Sequence, residues 1–124
     1  MGETLDPEHV SRILGCQPTR AEKKGEVYAS RNRKFERIAR AGIWTLEANE
    51  KEPADLDLQV NEILSQLPCD LSIWHALSKK FELDLFCGFF MEKSNEGIDI
   101  SPSSLEQLGA RGIALALDIY DGGD

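Results

Sequence analysis

Between Leu83 and Met91 every second residue is apolar, and the residues in between are nearly as apolar. Leu83, Leu85, Cys87, Phe89 and Met91 form one side, while Asp84, Phe86, Gly88 and Phe90 form the other. A period of two marks a strand, because successive side chains leave opposite faces of the backbone. A second such run lies near the end of the chain, with Ile113, Leu115, Leu117 and Ile119 set against Ala114, Ala116, Asp118 and Tyr120. Two strands of this kind need a covering layer, and the remaining sequence supplies it as helices.

Four helices are punctuated by their own residues. Asp6 caps the first, Pro7 starts it, Val10, Ile13 and Leu14 share a face, and Gly15 stops it before the turn Cys16-Gln17-Pro18-Thr19. The second starts at Asp55, buries Leu56, Val60, Ile63, Leu64 and Leu67 along one stripe, and ends at Pro68. The third begins near Asp70 and carries Ile73, Trp74, Leu77 and Phe81. The fourth is capped by Ser101-Pro102, buries Leu105 and Leu108, and stops at Gly112.

Shorter strands are expected at Val27-Tyr28 and at Gly42-Ile43-Trp44-Thr45-Leu46. A hairpin through Ser94-Asn95-Glu96-Gly97 leads to Ile98 and Ile100. Ser30 to Ala41 has no clean period and reads as a long loop. The order is αββααββαβ, an α+β domain with one mixed, mostly antiparallel sheet and its helices on one face. At 124 residues it forms one unit, 1–124, with 121–124 as a frayed tail.

Composition excludes several classes of function. A hydrophobic fraction of 41% and a charged fraction of 29% fit a chain that folds around a core. No apolar run approaches the roughly 18 residues of a membrane span, and the first residues lack a secretion signal, so a cytoplasmic protein is expected. The three cysteines, Cys16, Cys69 and Cys87, are widely spaced and fit reduced thiols. A net charge of -8 argues against salt-driven nucleic-acid binding.

That charge is uneven. Residues 20 to 40 hold eight basic and three acidic side chains, +5 in all, which leaves -13 elsewhere. The basic set, Arg20, Lys23, Lys24, Arg31, Arg33, Lys34, Arg37 and Arg40, is the candidate anion patch. Against an RNA reading stands the shortage of stacking partners, with only Tyr28 and Phe35 nearby.

No cofactor, metal site or catalytic residue is indicated. His9, Cys16, Cys69, His75 and Cys87 form no CxxC or HxxxH pair, and no phosphate-binding glycine motif follows a strand. Cys87 shares parity with Leu85 and Phe89 on the helix-covered side, where a thiol is inert. The other side of the sheet is the candidate ligand site or interface: Asp84, Phe86, Phe90, Asp118 and Tyr120, with Trp44 as a further member. Aromatic residues beside a few acids suit a groove or a dimer seam.

Several segments together resemble a bacterial family of domains of unknown function, numbered 4279. They are Leu14-Gly15-Cys16-Gln17-Pro18-Thr19, Lys24-Gly25-Glu26, Gly42-Ile43-Trp44-Thr45-Leu46, Asp84-Leu85-Phe86-Cys87-Gly88, the Ile100-Ser101-Pro102 helix start with Leu105 and Leu108, and Leu117-Asp118-Ile119-Tyr120. The resemblance implies the fold and assigns no activity. It also implies a strand before the first helix, which this chain does not show ahead of Asp6. An open sheet edge or an apolar gap follows, and open edges pair with other chains, so a homodimer is expected. The leading expectation is a non-enzymatic binding or protein-interaction domain that self-associates through its sheet. The alternative is a small-molecule-binding or enzymatic domain using the aromatic and acidic face.

Overall fold

The computed structural model describes residues 1–29, 35–49, 55–93 and 95–120. Among these residues four helices form where the caps place them. α1 (Pro7–Leu14) has Asp6 accepting from the Glu8 N–H, and it ends at Gly15 in the left-handed region, φ 65°. The glycine lacks a Cβ and adopts that angle without strain. α2 (Leu56–Leu64) is capped by Asp55, α3 (Leu71–Lys80) by Asp70, and α4 (Pro102–Ala110) by Ser101. In each case a side-chain oxygen takes one of the unpaired N–H groups of the first turn.

Among the described residues six strands pair two by two. β1 (Arg20–Glu22) lies antiparallel to β4 (Ile43–Thr45), and β2 (Val27–Ala29) antiparallel to β3 (Glu36–Ile38). β5 (Asp84–Phe90) and β6 (Ala114–Tyr120) are parallel, in register from Asp84 with Ala114 to Phe90 with Tyr120. The crossover between them carries α4, as a parallel connection requires.

The α+β class and its small antiparallel sheets agree with the expected architecture, and the finer order differs in three places. β1 and β3 add two strands of three residues each, too short to show a period, so part of the expected loop at 30–41 is strand. Residues 30–34 of that segment lie outside the described residues. Ile98 and Ile100 form no strand; they pack as half-buried side chains against α2 and α4. The described strands form three two-stranded sheets in place of one mixed sheet, and the longest pair is parallel. The expected tail at 121–124 lies outside the described residues.

The core has two centres. Leu5, Val10, Leu14, Trp74 and Leu77 form the first, with Trp44 packed against it. Leu56, Val60, Leu64 and Leu108 form the second, under β5. Leu67 and Ile113 touch both. The chain start lies close against this body. A Cβ on Gly42 would sit 2.3 Å from the Leu5 carbonyl oxygen, and one on Gly2 would sit 2.6 Å from the Phe81 ring. The Gly42 crossing therefore requires glycine, since the clash there is with backbone, whereas a side chain at Gly2 would displace the Phe81 ring.

Candidate functional site

The parity of β5 is as expected. Leu85 and Cys87 turn toward the second core and Phe89 is buried, whereas Asp84, Phe86, Gly88 and Phe90 are exposed. Burial pushes the Cys87 thiol above its ordinary value, which disfavours the reactive thiolate. On the open face Phe90 stacks on Tyr120, ring centroids 4.6 Å apart at an interplanar angle of 9°. Gly88 lies beside them, where a Cβ would make ordinary van der Waals contact with both rings at 3.7 and 3.9 Å. Tyr120 donates its hydroxyl proton to Asp118 Oδ2 at 2.6 Å.

The structure thus brings Phe90, Asp118 and Tyr120 together at one end of the ribbon. Phe86 lies on the same face of β5. Asp84 lies at the other end: Asp118 pairs with Gly88, four residues along the strand, which separates the two carboxylates by roughly 13 Å. Acid and base partners must share one reacting centre, so these two do not form a pair. Trp44 belongs elsewhere; its indole N–H donates to Ser11 Oγ at 3.0 Å and its ring packs on the first core.

The helix layer stops short of the far end of β6. Leu115 is half-buried, but Leu117 and Ile119, expected beneath helices, are 45% and 55% exposed. Apolar side chains therefore emerge on both faces there.

The basic segment is organised around an acid. Glu22 is buried, accepting from Arg20 at 2.8 Å and pairing also with Arg37. The Arg20 hydrogen bond, followed by that of Arg37, holds its carboxyl below the ordinary range against the opposing effect of burial. Its Oε1 has no hydrogen-bond partner among the described residues. Two of the candidate anion-binding cations, Arg20 and Arg37, are thus paired with Glu22, although they are exposed like Lys23, Lys24 and Arg40. Arg31, Arg33 and Lys34 lie outside the described residues. Glu22 was not singled out from sequence; the signal available was an acid inside a basic run.

A groove opens between β4 and β5. Its volume is about 630 Å³, and its floor includes Val60, Leu64, Leu77 and Leu108 from both cores. At about 24 cal/mol per Å³, a dry void of that size would cost about 15 kcal/mol, as much as a whole domain's stability. The groove is therefore a wet cleft or a receptor. It reaches Asp84 and Phe86 but not Phe90, Asp118 or Tyr120. Among the described residues no three His, Cys, Asp or Glu side chains converge to hold a metal ion, and no helix is long and apolar enough to cross a membrane.

The profile of the family described as "Domain of unknown function (DUF4279)" matches residues 1–122. The chain belongs to that family. No curated protein and no solved structure matches it.

Proposed function

We propose that this protein is a non-enzymatic interaction domain that forms a homodimer through its β5–β6 ribbon in the bacterial cytoplasm. The observation that carries this reading is the exposed end of the ribbon, where Phe86, Phe90, Leu117, Ile119 and Tyr120 are 43% to 71% exposed. Exposed apolar residues gathered at one end of a ribbon, here on both of its faces, are a common mark of a protein contact, and aromatics are favoured anchors. The three free, unclustered cysteines support a reducing compartment.

A small-molecule or enzymatic site on the same face is supported less well. Its two aspartates are too far apart to cooperate, and the cleft lies beyond the stacked pair. Light scattering at micromolar concentration tests the proposal. The expected result is twice the monomer mass for the unaltered chain and the monomer mass for Phe90→Glu with Ile119→Glu. A monomeric mass for the unaltered chain would overturn it.

A further inference from the structure

We propose that two copies of this chain join edge to edge through β6, antiparallel about a twofold axis at Leu117, so that the two ribbons become one continuous sheet. This pairing rests on self-association through the ribbon and deepens it by naming the edge and the register. The hydrogen bonds of β6 to β5 settle which groups are left over. Ala114 donates its N–H to the Leu83 carbonyl, and the Tyr120 carbonyl accepts from the Met91 N–H, both at 3.0 Å. Ala114 and Tyr120 therefore turn their backbone groups toward β5, and by alternation so do Ala116 and Asp118. Leu115, Leu117 and Ile119 turn theirs the other way, and among the described residues no other backbone group bonds them.

Little in β6 guards that edge. Edge strands that stay single are short, charged, bulged or broken by proline. β1 and β3 follow that rule, with three residues each and charged side chains among them. β6 runs for seven residues, Ala-Leu-Ala-Leu-Asp-Ile-Tyr, in an unbroken ladder without lysine, arginine or proline. Its one charge is Asp118. Leu117 and Ile119, on either side of Asp118, are 45% and 55% exposed, so the helix layer does not cover the edge at this end.

The strand complements itself in one register. With the axis at Leu117, that residue faces its own copy and Leu115 faces Ile119 of the second copy, so all three outward residues exchange their backbone hydrogen bonds. Their side chains share one face of the joined sheet and cover one another's apolar surface. On the other face Asp118 lies opposite Ala116, and Tyr120 opposite Ala114, a large side chain against a small one in each case. An axis anywhere else on the strand carries at least one outward residue past the end of the second β6. At Asp118 it would also set two carboxylates directly opposite each other, which is destabilising. The occupant that fits this edge is therefore a second copy.

Light scattering of the unaltered chain separates the two levels, since a monomer overturns self-association and this register with it. For a dimer, single cysteines are introduced into a background carrying Cys16→Ser and Cys69→Ser, in which the remaining Cys87 is half-buried. Leu117→Cys is expected to form an intermolecular disulfide on mild oxidation, because a pair on the axis brings its Cα atoms to about 5.5 Å. Leu115→Cys is expected to form none, its two copies lying roughly 13 Å apart along the strands. Leu117→Pro removes an N–H that does not bond to β5, so it should retain a cooperative melting transition and give the monomer mass. A dimer in which both cysteines or neither cross-link overturns the β6 pairing and leaves self-association standing, as does a folded Leu117→Pro that stays dimeric. Where Leu117→Pro does not fold, the cysteine pair alone decides.

Discussion

Glu22 shows how one residue converts a charge run into structure. A carboxylate with its side chain 5% exposed is held by two guanidinium groups that are themselves 58% and 41% exposed. Solvent screens such half-exposed partners, so Glu22→Gln is expected to cost about 1 kcal/mol at neutral pH rather than the larger loss from a dry pair. The pH dependence has a definite sign. Its folded pKa lies below the ordinary value of 4.5, so the unfolded chain binds the proton more readily. The stabilisation is complete above that value and disappears as the pH falls through the folded one. Chemical denaturation of the two proteins should show their stability gap closing as pH falls from about 6 to about 3. A gap constant across that range would remove the ion pair as its cause.

At the scale of elements, the helices are legible because each carries its own boundaries. Asp6 with Pro7, Asp55, Asp70, and Ser101 with Pro102 stand where the N-terminal N–H groups need acceptors, and no distant residue is required to recognise them. β5 and β6 are legible in the same way, seven residues each with a sustained period. β1 and β3 are not, because three residues contain no period and exist as strands only through partners far along the chain. The direction of β5 against β6 is hidden for a related reason, since Ile98 and Ile100 look like a returning strand until the second core is seen to absorb them. A contact between elements was equally invisible. Asp57, in the first turn of α2, accepts from the Ser101 N–H at 2.9 Å and from the buried Ser104 hydroxyl at 2.8 Å. The Ser101 amide and then the Ser104 hydroxyl hold its carboxyl below the ordinary range. One carboxylate thus anchors the start of α4 to α2. Ser104→Ala should lower the melting temperature and raise amide exchange across Pro102–Ala110 by about tenfold relative to α1. Uniform acceleration of both helices would mean that the link acts on global stability and not on α4.

At the scale of the whole molecule, the two cores meet through very little. The open groove separates β4 from β5, and Leu67 and Ile113 are the hydrophobic side chains packed against both centres among the described residues. Neither the groove nor this narrow waist is written in local periodicity, since both depend on which strand edges stay apart. The aromatic face could be read from parity alone, but Trp44 could not be placed by it, because its strand turns that side chain toward Ser11. The distribution of tryptophan makes the waist measurable. Both tryptophans, Trp44 and Trp74, belong to the first core, so their fluorescence reports that half, whereas far-UV circular dichroism reports helices of both. In the unaltered chain the two signals should unfold together, as a single cooperative unit requires. Leu67→Ala with Ile113→Ala removes the shared contacts at about 2 kcal/mol each, the lower end for large-to-small changes because both positions are half-buried. The fluorescence and dichroism midpoints are then expected to separate in urea. Coincident curves at a lower midpoint would mean that these two side chains are not what couples the two cores.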